Sequence, residues 1–117
     1  MKKIYAISLL VLLLIAAVTS GLVNIRSVTV SGANATVSGW LPDYCWTADL
    51  MPTYTVIDES TIHVFLTATR NKRVCSQVVQ NITKTYKLSA ADAGVAPGTY
   101  TVLFNGLTRF ARTITLP

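Results

Sequence analysis

The residues of this chain with the most chemistry to offer are two cysteines, Cys45 and Cys75, a single histidine, His63, and five carboxylates. A redox-active or nucleophilic thiol is expected in a C-x-x-C pair or beside a histidine. Here the cysteines are far apart, and His63 neighbours neither in sequence. A metal ligand or general base at His63 needs partners that converge on it, and none stands at ligand spacing. Asp43, Asp49, Asp58, Glu59 and Asp92 are scattered through turn-like stretches, where carboxylates form turns rather than a glycosidase pair. These residues therefore predict no catalytic, metal-binding or cofactor-binding site, and the chain reads as something other than an enzyme.

Recognition is the chemistry that remains. Trp40, Tyr44 and Trp46 cluster around Pro42 and Cys45, and rigid aromatics near a strand end are common binding anchors. Against this stands the tendency of a tryptophan beside a disulfide to pack on it. Arg70, Lys72 and Arg73 form a compact basic loop that suits an anionic or acidic partner, although such loops often serve only solvation. These six residues are the candidate binding surface. Asn34-Ala35-Thr36 and Asn81-Ile82-Thr83 fit the N-glycosylation acceptor pattern, which matters if the source organism glycosylates exported proteins.

The start of the chain supplies a compartment. Lys2 and Lys3 precede an apolar run from Ile4 to Val18 broken only by Ser8, and Val18-Thr19-Ser20 suits a signal peptidase. The expected organisation is a signal-peptide helix over 1–20 and a domain over 21–117, secreted or held at the cell surface. The alternative is an uncleaved anchor, because Ile4 to Val23 is uncharged and has about the 20 residues a bilayer crossing needs. Membrane attachment is expected only in that case. Cys45 and Cys75 both fall in the exported part, where thiols are oxidised and paired, so they are expected to form a disulfide. The formal charge of +5 falls to +3 without Lys2 and Lys3, with eight basic against five acidic side chains, too weak a balance to indicate nucleic acid.

The elements that must position these residues read as strands throughout, since Thr, Val, Ile and Tyr dominate and Gly, Pro, Asn and Asp punctuate the runs. Apolar positions change parity between Val23 and Ser31, which predicts a bulge or a switch of sheet. Ala35, Val37, Gly39 and Leu41 share one face, as do Ile62, Val64 and Leu66. Thr53–Ile57 and Thr61–Thr69 flank Asp58-Glu59-Ser60 as a hairpin, and Val74–Leu88 reads as a long extended region, bent or in two strands. Ser89–Pro97 is a loop with room for one helical turn, and Asn105-Gly106 signals a closing hairpin. About seven strands follow, arranged as an all-β, immunoglobulin-like two-sheet sandwich.

Gly39-Trp40-Leu41-Pro42-Asp43-Tyr44-Cys45, Ile62 to Thr67, Cys75-Ser76-Gln77 and Pro97 to Gly106 together resemble a group of small secreted or lipid-anchored bacterial immunoglobulin-like domains. In these a G-aromatic-L-P-D-x-C segment and a later cysteine frame the fold, and a G-x-Y-x-V-x-x-N-G hairpin closes it. The resemblance implies architecture and carries over no catalytic residue; the chain lacks the lipid-attachment cysteine of some members. The functional expectation is a non-enzymatic extracellular binding or adhesion module for a protein or glycan, without a cofactor. Alternatives are self-association, through addition of the extended segment Leu22–Ser31 to a neighbour's sheet, and a small protease inhibitor using loops near Pro42 and Pro97.

Overall fold

A computed structural model describes residues 20–117. The expected signal peptide therefore lies outside the described residues except for Ser20, and among those described no helix is long and apolar enough to cross a membrane. The strands are β1 (Ser20–Leu22), β2 (Asn24–Ser31), β3 (Asn34–Leu41), β4 (Trp46–Ala48), β5 (Thr53–Val56), β6 (Thr61–Phe65), β7 (Thr67–Arg70), β8 (Gln80–Lys87), β9 (Gly98–Phe104) and β10 (Ala111–Leu116). One helical turn, α1 (Ala90–Ala93), precedes β9. They form three sheets, ordered β2-β3-β8, β10-β9-β6-β5 and β1-β7-β4.

The fold is all-β, as the residue pattern predicts, but the ten strands and three sheets of the described residues differ from the expected seven and two. Segments 20–31 and 61–70 each pass through two sheets, breaking at Val23 and Leu66, so each supplies two strands where the alternation shows one. The short strand β4 sits in what reads as loop. Every pairing is antiparallel except β6 with β9, which run parallel, whereas immunoglobulin sheets pair their core strands antiparallel. Val74–Leu88 is a second correction: only Gln80–Lys87 is strand, and Val74, Val78 and Val79 are exposed on the connection before it.

The parity change in β2 is a bulge. Its register against β3 shifts between Ile25 and Ser27, leaving Arg26 as the extra residue, so that Ile25 and Val28 both face the core. Arg26 Nη1 donates to Asn81 Oδ1 at 2.5 Å. The Asp58-Glu59-Ser60 turn closes as expected, with Asp58 Oδ1 accepting from the Ser60 N–H at 2.8 Å, and β5 pairs β6 from Thr53↔Phe65 to Val56↔Ile62. That N–H also holds the Asp58 carboxyl below its ordinary pKa. The alanine cluster forms its single turn because the Ser89 hydroxyl caps the Asp92 N–H at 3.1 Å and Gly94 stops it at φ 73°.

Ile62, Val64, Leu66, Val102 and Phe104 are fully buried against Ala35, Val37, Tyr86 and Leu88 in one core. Arg112 closes a seam by donating from Nη2 to the Val28 carbonyl at 3.2 Å, covering part of the edge of β2. Tyr86 is 2 % exposed, and its hydroxyl has no hydrogen-bond partner among the described residues. Burial, with the Asp49 charge adding to it, pushes the phenol's pKa up to about 12. The unfolded chain then ionises first, so stability is complete below pH 10 and falls as pH climbs toward 12. Two pKa units correspond to roughly 2–3 kcal/mol. Tyr86→Phe is expected to add about 1 kcal/mol at neutral pH by removing the orphaned hydroxyl, and to flatten the alkaline decline in urea denaturation series. An equal decline in the variant would refute this account.

Candidate functional site

The end of the sandwich around the disulfide is built from three crossing segments. Asp43 Oδ1 accepts from the Cys45 N–H at 2.7 Å, forming a tight turn that aims Cys45 inward, where it is 1 % exposed and bonded to Cys75. The expected disulfide is present. Tyr44 N donates to the Ser76 carbonyl at 3.3 Å and Asn71 N to the Cys45 carbonyl at 2.9 Å, so the 71–79 connection is stitched to the turn on both sides of the bridge. Trp46 pairs in register with Arg70, and a Cβ placed on Gly21 would touch the Trp46 ring at 3.5 Å.

This geometry gathers Tyr44, Trp46, Arg70, Lys72 and Arg73 at one end. Trp46 is half-buried over Gly21 of β1 and against the core, while Tyr44 is half exposed and the three cations are exposed. Val74, at 90 % exposed, and Val78, at 62 %, stand beside them on the same connection. Their β-branched side chains suit a strand, yet here they lie on irregular backbone, and no local pattern in the sequence marks the difference.

Trp40 has a different setting. It pairs with Asn24 and Asn81 in register and lines a hollow of about 280 Å³ with Leu22, Asn24, Asn105, Leu107 and Arg109. Asn105, which reads only as a turn former, is the polar hub beside that hollow. At φ 55° its side chain accepts from the Leu66 N–H at 2.7 Å and donates to the Val23 carbonyl at 2.8 Å, while Val23 N donates to the Leu66 carbonyl at 2.8 Å. The two sheet breaks are thereby closed on one another.

The remaining chemical residues are placed as structural groups. His63 is half-buried and meets Phe65 edge to face at 5.9 Å between ring centroids. Asp49 accepts from the hydroxyls of Thr67 at 2.5 Å and Thr69 at 2.8 Å. Asp43, Cys45 and Cys75 have potential donor atoms within 4.8 Å of one another, but the disulfide consumes both sulfurs and leaves no thiolate for an ion. Asn34 and Asn81 are both exposed, as a glycosylation acceptor must be.

A family model described as the ORF11 beta-sandwich domain matches residues 35–116. The chain belongs to the ORF11 beta-sandwich domain family. The match runs from β3 to β10, so both cysteines, the basic connection and Asn105 lie within the ORF11 beta-sandwich, while β1 and β2 precede the matched stretch. No curated protein and no solved structure matches the chain.

Proposed function

We propose that this ORF11 beta-sandwich is an exported, non-enzymatic binding domain whose recognition surface is the disulfide end. The observation that carries the reading is the convergence there of Tyr44, Arg70, Lys72, Arg73 and the exposed Val74 and Val78 on backbone fixed by a covalent bridge. A preorganised surface with large apolar and cationic groups loses little entropy on binding. Like the end loops of the immunoglobulin-like domains it resembles, this connection is a recognition element carried by a rigid scaffold. The disulfide and the leader-like start of the chain support export to an oxidising compartment.

Self-assembly through Leu22–Ser31 has less support, because that segment already pairs within its own chain, β1 with β7 and β2 with β3. The test is retention of the labelled protein on cell envelopes of its host. Replacing Tyr44 with Ala and the three cations with Glu is expected to lower retention at least tenfold while the thermal midpoint holds. Unchanged retention would assign recognition to another surface.

A further inference from the structure

The chain enters the fold at the same end. Ser20, the first residue of β1, is the register partner of Thr69, the residue before Arg70, and neighbouring strands lie about 4.8 Å apart. The described chain therefore begins alongside the basic connection. That connection combines three cations within four residues and two prominent valines, and it is bonded to the turn that carries the exposed Tyr44. The carboxylates nearest in sequence are already engaged, Asp43 by the Cys45 N–H and Asp49 by the Thr67 and Thr69 hydroxyls.

Basic side chains around aliphatic and aromatic groups are the composition that seats a protein at a lipid–water boundary: cations reach anionic headgroups, and apolar tips enter the acyl boundary. Resting on the reading of this end as the binding surface, we infer that its partner is an anionic phospholipid surface. Docking there sets the β1 end of the sandwich against the bilayer. It works with or without cleavage of the apolar run, since the contacts come from residues 44 and 70–78.

The experiment uses the full chain with two kinds of vesicle, phosphatidylcholine alone and phosphatidylcholine mixed with phosphatidylglycerol, separated by flotation. An inserted apolar run contributes equally to both vesicles, and Lys2 and Lys3 add the same anionic preference to wild type and variants, so the difference in partitioning ratio between wild type and variant reports the basic end. Wild type is expected to favour the anionic vesicles strongly and to lose that preference in high salt. R70E/K72E/R73E is expected to reduce anionic partitioning by about a hundredfold or more, at roughly tenfold or somewhat less for each cation. V74S/V78S is expected to weaken it while keeping the preference, and the thermal midpoint of each variant verifies folding. Equal partitioning of wild type into both vesicles, or an undiminished preference in the triple variant, overturns the lipid assignment. If the preference is absent while envelope retention still depends on the three cations, the partner is a protein or glycan: the lipid assignment falls and the binding surface stands.

Discussion

Gly39→Ala is expected to destabilise the domain by at least about 3 kcal/mol, enough to lower its thermal midpoint by roughly 12 °C or more. The methyl group would stand 2.2 Å from the Asn24 carbonyl oxygen and 3.1 Å from its carbon, both backbone atoms of the paired strand that cannot rotate away. The bulge at Arg26 lies beside this pairing, and its shifted register fixes how closely β2 approaches β3. Alanine's smaller unfolded-state entropy favours folding by only about 0.4–1 kcal/mol, so the clash dominates. Gly21→Ala is the matched control: its methyl would meet only the Trp46 ring, at an ordinary 3.5 Å, and its midpoint is expected to hold. Thermal unfolding followed by circular dichroism checks both. Similar midpoints for Gly39→Ala and wild type would mean that β2 and β3 can separate at this point without cost.

Removing the bridge with Cys45→Ala and Cys75→Ala is expected to destabilise the fold by roughly 3–4 kcal/mol, from the restored freedom of a loop of about 30 residues. That is a large share of the stability of a domain this size. The effect on recognition should exceed what stability alone explains. Without the bridge, the 71–79 connection is held by two backbone hydrogen bonds, Tyr44 to Ser76 and Asn71 to Cys45. The cations and valines would then lose their fixed spacing even in molecules that remain folded. The double variant, studied well below its midpoint, is therefore expected to show faster amide exchange at Tyr44 and Asn71, the donors of those two bonds, slow exchange in β3 and β6, and envelope retention reduced several-fold. Protection of these two amides equal to wild type would show that the hydrogen bonds suffice.

The parts of this fold legible in the sequence are those in which side-chain parity carries the information. Ala35 to Leu41 and Ile62 to Leu66 alternate cleanly because one face of each strand is buried, and the parity slip after Ile25 exposes the bulge. Parity says nothing about pairing partners. The inward row Ile62, Val64, Leu66 and Ala68 continues unbroken through the point where the strand leaves one sheet for another, so the third sheet was invisible. The parallel direction of β6 beside β9 was hidden for the same reason. At the candidate site, Cys45, Cys75, Tyr44, Trp46 and the basic run were readable from type and position. Val74 and Val78 are not legible as loop residues, because β-branched side chains suggest a strand wherever they occur. Trp40, only six residues before Trp46, shares its chemistry but lies on another strand beside a separate hollow, a distinction that depends on tertiary pairing.

The junction at Val23, Leu66 and Asn105 also governs how the molecule opens. Segments 20–31 and 61–70 each belong to two sheets, and their breaks are bonded to each other and to one side chain 82 residues from Val23. No sheet can detach as an independent foldon without pulling on the strand it shares with the next, so slow amide exchange in all three should follow a single global opening. Its formation must also wait for β9 to be made, because Asn105 follows that strand directly. During synthesis the three sheets therefore stay unlocked from one another until Asn105 has emerged.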